Sequence, residues 1–306
     1  MVVVAKAKRF IRRYILKRPV MQDVSLKKRE KLLKEWFLQR RGRMFDLENP
    51  TTFTEKLQWM KLYYKHPNLL RCVDKYEFKE YVAEKLGEGY TAPLIQVWDC
   101  PEAVSIRDIP EEKFVIKSTL QSDGKFICLV TDKSKIDINE VEKEIKDKWF
   151  DRRRLLTNSF CSAYYGAKPR VIVEAFVEEF ANCANDYKLF CFHGEPAFFY
   201  VAEDHFKDGE NSEIYPITFF DLQWNRMDVK YGEHNINEKA ARPYHAEEMI
   251  ALARKLSADF PFVRVDFFDT PDKLYLAELT FYPGGGATPY YPESFDEKMG
   301  SMLNLP

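Results

Sequence analysis

The spacing of apolar and polar residues along the chain predicts helices and strands in an irregular order. Helical spacing predicts helices over residues 7–16, 25–44, 53–64, 73–86, 138–154 and 244–258. Alternating or continuous apolar runs predict strands over 91–98, 113–117, 125–130, 170–177, 186–193, 196–202, 261–268 and 274–280. Because helices and strands do not alternate regularly, the pattern indicates the α+β class with mixed sheets rather than a repeated βαβ array.

The last two predicted strands carry charged residues at alternate positions. If residues 269–273 form the loop of an antiparallel hairpin, Arg264 lies opposite Glu278, and Asp266 is a diagonal neighbour of Glu278, about 7–8 Å away. Two carboxylates at that spacing can share a divalent cation, and an adjacent Arg can hold an anionic substrate. Thr280 shares this polar face. The alternative interpretation is a solvent-facing strand with an Arg–Glu cross-strand pair.

Three further features could bind an anion or a nucleotide. A Gly-rich turn over 281–288 follows the hairpin and exposes backbone amides. Lys117 ends a strand before a small polar loop, which suits a polyphosphate but is also typical of an ordinary hairpin connection. Glu174 interrupts an apolar strand, where a nucleotide base or a salt bridge to a nearby Lys or Arg would satisfy its carboxylate.

The composition describes a globular protein with an uneven charge distribution. The chain has 306 residues, 45% of them hydrophobic, with 47 basic and 48 acidic side chains, which excludes intrinsic disorder and gives no reason to expect a nucleic-acid partner. Residues 1–43 hold fifteen Lys or Arg against three Asp or Glu, so this segment carries +12 and the remainder −13. The basic helix over 7–16 is predicted either to contact an anionic membrane surface or to pack on the body of the protein.

Other sequence features predict where the protein works and what it lacks. The six cysteines form no C-x-x-C pair, and no segment reads as a signal peptide or as a run of about 18 apolar residues. We therefore expect a cytoplasmic protein, associated with the inner face of the cell membrane if the basic helix binds lipid. None of the five histidines has a spacing that suggests a catalytic triad or a metal cluster.

Seven motifs in register give the chain, from about residue 46 to its end, a resemblance to the ATP-grasp superfamily and to its TupA-like branch, named for teichuronopeptide biosynthesis. They are Asn49-Pro50-Thr51-Thr52-Phe53-Thr54-Glu55-Lys56-Leu57, Asp74-Lys75-Tyr76-Glu77, Phe114-Val115-Ile116-Lys117, Val173-Glu174-Ala175-Phe176, Asp186-Tyr187-Lys188-Leu189-Phe190-Cys191-Phe192-His193-Gly194, Arg264-Val265-Asp266 and Glu278-Leu279-Thr280-Phe281-Tyr282-Pro283-Gly284-Gly285. The resemblance implies the ATP-grasp fold, with two α+β lobes clamping a nucleotide behind a helical basic N-terminal extension.

The resemblance also implies a role for individual residues. Lys75 and Lys117 would contact ATP phosphates, Ser122, Asp123 and Gly124 would lie in the closing loop, and Glu174 with the backbone near Val177 would meet the adenine. Asp266 and Glu278 would hold one or two Mg²⁺ ions, with Thr280 at a position where many relatives have Asn. Arg264 would stabilise an acyl phosphate, Lys188 would reach the phosphates or the acid, and Gly284 and Gly285 would lie at the substrate.

The function implied by the resemblance is an ATP- and Mg²⁺-dependent ligase that forms an amide through an acyl phosphate. The amine would be an amino acid and the acid a uronic-acid or amino-acid carboxylate, on a polymeric or lipid-linked saccharide in bacterial surface polysaccharide biosynthesis. A glycosyltransferase using Asp266 and Asp269 for a sugar nucleotide's metal, and a non-catalytic nucleotide-binding subunit, are the alternatives.

Four segments are predicted. They are a basic helical extension (1–45), an N-terminal α/β subdomain (46–110), a central lid subdomain (111–176) and a C-terminal subdomain with the metal and substrate site (177–306).

Overall fold

The structure is a computed structural model that describes residues 21–120, 127–149, 160–178, 185–203, 206–207, 210–211, 215–236 and 240–306. Several predictions lie outside these residues. They concern the basic helix over 7–16, the membrane contact of residues 1–20, the closing-loop residues Ser122, Asp123 and Gly124, and the end of the helix predicted over 138–154. The division into four segments stays a proposal.

Seven α-helices lie in the described residues, and most match a predicted segment. They are α1 (Leu26–Arg41), α2 (Phe53–Tyr63), α3 (Leu69–Val73), α4 (Glu77–Leu86), α5 (Ile138–Lys148), α6 (Ala246–Ser257) and α7 (Glu293–Met302). The single helix predicted over 73–86 is wrong at its start, because Asp74 ends α3 and its Oδ1 accepts the backbone N–H groups of Tyr76 and Glu77. None of these helices has the length and apolar run that crossing a membrane requires.

The strands form two main sheets in which every paired strand is antiparallel. In chain order they are β1 (Leu94–Trp98), β2 (Phe114–Ser118), β3 (Ile127–Val130), β4 (Val171–Ala175), β5 (Asn185–Phe192), β6 (Glu195–Glu203), β7 (Phe206–Lys207), β8 (Glu210–Asn211), β9 (Ile217–Asp221), β10 (Arg226–Met227), β11 (Lys230–Tyr231), β12 (Phe262–Asp269), β13 (Leu274–Thr280) and β14 (Tyr290–Tyr291). One sheet has the order β1-β4-β2-β3 and the other β10-β9-β6-β5-β12-β13. The expected mixed sheets are therefore wrong, although the α+β class is confirmed.

The largest hydrophobic core joins the six-stranded sheet to the helices packed on it. Phe53 of α2 lies with its ring centroid 4.8 Å from that of Phe262 on β12 and 6.4 Å from that of Phe190 on β5. A capping box starts α2, in which the Thr52 side chain and the Glu55 side chain each accept a backbone N–H from the other residue. The motif over 49–57 therefore begins a helix that is seated directly on the central strands of this sheet.

Helix α7 and the residues after it form hydrogen bonds with the start of α2. Buried Asp296 accepts both the backbone N–H and the hydroxyl of Thr54, at 2.9 and 2.6 Å. Lys56 donates to the carbonyls of Gly300 and Leu303, each at 2.8 Å. A Cβ at Gly300 would lie 2.1 Å from the carbonyl oxygen of Thr51, so only glycine allows this close approach. The C-terminal helix thus sets the position of α2 relative to the sheet.

The hairpin of β12 and β13 has a register different from the predicted one. Its loop spans residues 270–273, closed by the Thr270 hydroxyl, which accepts the Lys273 backbone N–H at 3.0 Å. An irregularity between the pairs Asp266↔Glu278 and Phe267↔Leu276 adds one residue to β13. Both changes shift the pairing, so Arg264 lies opposite Thr280 and Asp266 directly opposite Glu278. The predicted register, with Arg264 opposite Glu278 and Asp266 diagonal to Glu278, is therefore wrong.

Candidate active site

Five of the predicted site residues meet on one face of three neighbouring strands. Asp266 on β12 pairs in register with Lys188 on β5 and with Glu278 on β13. Arg264 and Thr280 lie two residues away on their strands, and therefore on the same face. The corrected register brings the two predicted metal ligands closer than a diagonal arrangement would, because directly opposite residues have Cβ atoms about 4.5–5.5 Å apart.

Arg264 and Asp266 form a buried bidentate ion pair at the centre of this face. Arg264 donates from Nε to Asp266 Oδ1 at 2.6 Å and from Nη2 to Oδ2 at 2.5 Å. Lys188 Nζ lies 3.1 Å from Asp266 Oδ2 and 3.3 Å from Asp186 Oδ2. Burial alone would lower the pKa of Lys188, but Asp186 and Asp266 raise it overall. Arg264 and Lys188 therefore both stay charged. They do so although the ion pair is buried, with Arg264 8% and Asp266 2% exposed.

Glu278 and Thr280 extend the polar face toward solvent. The Thr280 hydroxyl donates to Glu278 Oε1 at 2.7 Å and accepts from Arg264 Nη2 at 3.1 Å. The Glu278 side chain keeps 38% of its surface exposed. Burial would raise the pKa of Glu278, but Lys75, Arg264 and Lys188 hold it below its ordinary value. The carboxylate is thus ionised and accessible.

The oxygen donors of this face fit Mg²⁺. Mg²⁺ is usually held by one or two carboxylates together with substrate phosphates and water, and not by a cage of protein ligands. Within the described residues, no group of three or more His, Cys, Asp or Glu side chains is arranged to hold a metal ion. Asp266 and Glu278 supply two hard carboxylates and Thr280 a hydroxyl, so the donor set suits an ion that arrives with a phosphate ligand.

Lys75 connects the two main sheets electrostatically. Its backbone N–H donates to the carbonyl of Thr119, just beyond the end of β2, at 3.2 Å. Burial lowers the pKa of Lys75, and Glu278 and Glu174 partly oppose this effect. Lys75 and Glu278 also line one pocket, with aromatic walls that include Tyr164. The lysine predicted to contact phosphate therefore lies beside the predicted metal ligand.

Glu174 lies in a buried ion-pair cluster on the four-stranded sheet. Its Oε2 is 2.6 Å from Lys117 Nζ and its Oε1 is 2.5 Å from Lys79 Nζ. The salt-bridge interpretation of Glu174 is thus the one the structure shows, while its contact with adenine stays a prediction. Val177 lies two residues beyond the end of β4, and its backbone contact with the base also stays a prediction. Sequence reasoning missed Lys79, since nothing local links α4 to β4.

We expect replacement of Glu174 by Gln to destabilise the protein by about 3–5 kcal/mol at pH 7, because it leaves two partly buried ammonium groups without the buried carboxylate that pairs with them. Burial would raise the pKa of Glu174, but Lys117 and Lys79 lower it to about 2 from an ordinary 4.5. A carboxylate with a lowered pKa contributes stability above its ordinary pKa, and this stability is lost as the pH falls toward about 2. Urea unfolding from pH 7 to pH 2.5 should show the wild type and Glu174→Gln converging.

The matched control for this measurement is Glu178→Gln. Glu178 pairs with Lys113 at an exposed site, where an ion pair contributes about 0–1 kcal/mol. The buried cluster would be contradicted if Glu174→Gln lowered the free energy of unfolding no more than Glu178→Gln does. It would also be contradicted if the stability difference between the wild type and Glu174→Gln did not shrink in acid.

The Gly-rich turn lies against α2, in a conformation that requires glycine. Gly284, Gly285 and Gly286 have φ values of +57°, +63° and +68°. A Cβ at Gly284 would lie 2.2 Å from the Tyr231 hydroxyl, and one at Gly286 would lie 2.7 Å from the Gln58 side chain. Gly285 lines the same pocket as Glu278 and Thr280. The turn predicted to meet substrate is therefore next to the predicted metal ligands.

Asp269, which the glycosyltransferase interpretation used, does not join this cluster. Asp266 and Asp269 are three residues apart on one strand and lie on opposite faces. The Asp269 carboxylate instead pairs with the ring Nδ1 of His245 at 2.6 Å. The structure therefore removes one of the two carboxylates on which that alternative depended.

The chain is an ATP-grasp protein, as a family-model match over most of its length shows. The family model described as TupA-like ATPgrasp matches residues 55–304, and the chain belongs to that family. The resemblance inferred from the seven motifs is thus confirmed. No curated protein is similar enough to the chain to count as a relative.

Several solved structures are similar to the chain at low identity. D-alanine–D-alanine ligase from Bacillus anthracis is 16% identical at a TM-score of 0.41, over 74% of this chain and 62% of that one. The D-cycloserine synthetase DcsG is also 16% identical at 0.41, over 78% and 72%. The ATP-grasp ligase PsnB, complexed with a minimal precursor, is 11% identical at 0.37, over 82% and 66%. The chain thus spans about 62% of the length of the first of these ligases.

Proposed function

We propose that this protein is an ATP- and Mg²⁺-dependent ligase that joins a carboxylate to an amine through an acyl phosphate. The observation that carries the proposal is the shared face of β5, β12 and β13. It combines two cations, Arg264 and Lys188, with two carboxylates, Asp266 and Glu278, beside a pocket that also contains Lys75. Cations beside oxygen ligands are the groups that phosphoryl transfer requires, and no protein nucleophile is needed.

The residues of the chain would divide the work by position. Bound ATP would supply the phosphoryl group, and Mg²⁺ would neutralise its oxygens when held by Asp266 and Glu278. Lys75 and Lys117 would bind phosphate oxygens, since each is a compact charge near the C-terminal end of β2. Arg264, whose Nε and Nη2 are bonded to Asp266, would present Nη1 to the charge that develops on the oxygens of the reacting carboxylate. Lys188, on the neighbouring strand β5, would hold the Asp266 side chain in place.

The substrate class rests on the family and on the charge distribution. We propose an amino acid as the amine and a uronic-acid or amino-acid carboxylate as the acid, in bacterial surface polysaccharide biosynthesis. The +12 charge of residues 1–43 supports an anionic acceptor, polymeric or lipid-linked, or a peripheral contact with the inner membrane face. The first 20 residues lie outside the described part of the chain, so this contact is proposed from sequence.

The test is a screen for ATP-dependent ADP formation by the full-length chain. Each reaction contains one amino acid, one uronic-acid acceptor, ATP and MgCl₂. ADP is measured by a coupled assay, and product masses are measured by mass spectrometry. We expect ADP release that requires both substrates, and a product mass equal to their sum less one water. Turnover of a sugar nucleotide without any need for ATP would overturn the proposal and favour a glycosyltransferase.

A further inference from the structure

Helix α2 directs two buried polar side chains at the Gly-rich turn. Lys61 and Gln58 both have no exposed surface, and they lie next to the buried apolar residues Leu57, Met60 and Leu62 of the same helix. Lys61 Nζ donates to the carbonyl of Gly285 and, at 3.0 Å, to Gln58 Oε1. Gln58 Nε2 donates to the carbonyl of Gly286 at 2.5 Å. One helix therefore binds two successive carbonyls of the turn predicted to meet substrate.

These carbonyls need partners from outside the turn. Residues Pro283–Gly286 form a short 3₁₀ helix, and the last carbonyls of any helical segment have no partner within it. The earlier carbonyl of Gly284 accepts the Ala287 N–H at 3.3 Å, inside the turn. Glycine has the largest conformational freedom of any residue, so three in succession hold one conformation only when other groups bind them. Lys61 and Gln58 are those groups.

The burial of Lys61 is costly and so calls for a reason. Its ammonium lies 4.5 Å from the ring centroid of Trp36 on α1 and 5.9 Å from that of Tyr282. Among the described residues, the titratable groups that act on it are the Cys161 thiol and the Arg40 guanidinium, and neither is a carboxylate. Burial lowers the pKa of Lys61 to about 7. A neutral amine still donates N–H groups, so the bond to Gly285 does not depend on the charge.

The supporting contacts also reach the N-terminal helix. A Cβ at Gly285 would lie 3.5 Å from the Trp36 ring, which thus packs against both the turn and Lys61. On its other side, Gly285 lines the pocket that contains Glu278 and Thr280. The turn is therefore held between α2 and α1 behind it and the catalytic face in front of it.

We propose that Lys61 is a positioning residue, which with Gln58 fixes the backbone of residues 283–286 so that Gly284 and Gly285 can bind the carboxylate substrate. The inference rests on the proposed function for the identity of what the turn binds. It assigns Lys61 no contact with ATP, with metal or with the reacting atoms. It follows that α2, which begins in the motif over 49–57, supports substrate binding through the Gly-rich turn and without touching the substrate.

The experiment compares Lys61→Met with Lys56→Met in the full-length chain. Lys56 is the matched control, because it lies on the same helix and also donates to two backbone carbonyls, those of Gly300 and Leu303, away from the turn. Hydrogen exchange of peptides covering 281–288 is measured by mass spectrometry. The Gly285 and Ala287 N–H groups are bonded within the turn, to the carbonyls of Tyr282 and Gly284. We expect their exchange to quicken at least tenfold in Lys61→Met and to stay unchanged in Lys56→Met.

Kinetics then separate positioning from a general loss of structure. With the substrates identified by the ADP screen, Lys61→Met should raise KM for the acid at least tenfold while KM for ATP stays within about twofold. Unchanged exchange over 281–288 in folded Lys61→Met, or a KM change confined to ATP, overturns the inference. Should Lys61→Met not fold, Gln58→Leu, which frees the Gly286 carbonyl, is expected to show the same exchange and KM pattern. A wild type with no ATP-dependent ligation would defeat the proposed function, whereas the exchange result stands independently.

Discussion

Replacing Asp266 with Asn and Glu278 with Gln in one chain is expected to lower ATP-dependent ADP formation by at least about 10²–10³-fold, the cost of removing groups that stabilise transition-state charge. The two carboxylates lie directly opposite each other, and Asp266 accepts from both Arg264 and Lys188. Amide oxygens carry no net charge and bind Mg²⁺ weakly beside a polyphosphate. Initial rates across a MgCl₂ titration measure the effect.

The two single variants separate metal binding from stability. Glu278 keeps 38% of its side chain exposed, so Glu278→Gln should lose activity with little change in the free energy of unfolding. Asp266 accepts from both Arg264 and Lys188, so Asp266→Asn removes the bidentate anion of buried Arg264 and leaves Lys188 with Asp186 alone. We expect this variant to be less stable by about 3–5 kcal/mol. Asp272→Asn, in the exposed loop of the same hairpin, is the control with normal activity and stability. A folded double variant with wild-type rates would mean that these carboxylates hold no catalytic ion.

The periodicity of the sequence was enough to predict which residues share the catalytic face, but not how the strands pair. Alternation alone places Arg264 with Asp266 and Glu278 with Thr280, because the side-chain period of a strand is two. The register depends on the loop and on the extra residue of β13, and neither follows from periodicity. A one-residue change in loop length and one bulge together moved Asp266 from a diagonal position to a position directly opposite Glu278.

Long-range partners were the other part that sequence could not supply. The position of Glu174 on an apolar strand predicts that its carboxylate has a partner. The sequence contains many Lys residues that could pair with it, and only the tertiary structure shows that Lys79 and Lys117 do so. Lys61 had a weaker signal, since a charged residue near the end of an amphipathic helix is usually solvated. Its burial against the Gly-rich turn results from the seating of α2 by α7 and the sheet, which involves residues more than 200 positions apart.

Replacing Arg264 with Lys is expected to lower kcat on the order of 10²-fold while preserving the charge at this position. Arg264 makes two parallel bonds to Asp266 and a third to Thr280, and an ammonium group cannot reproduce that planar fork. Because the remaining Nη1 would receive the developing charge of the carboxylate substrate, the loss should appear in kcat with acid and ATP saturating. KM for ATP should change by no more than about threefold, because Lys75 and Lys117 are untouched.

The control for this substitution is Arg254→Lys. Arg254 donates from Nε to both carboxylate oxygens of Glu195, at 3.2 and 3.0 Å, but at an exposed site on α6, outside the hairpin. Losing an exposed pair of this kind costs about 0–1 kcal/mol and should leave kcat unchanged. Thermal unfolding of Arg264→Lys should show a loss of about 1–3 kcal/mol from the bonds left unmade. If Arg264→Lys instead kept wild-type kcat and lost only stability, Arg264 would be a structural partner of Asp266, and the charge of the reacting carboxylate would have to be stabilised by Lys188 or by the amides of the Gly-rich turn.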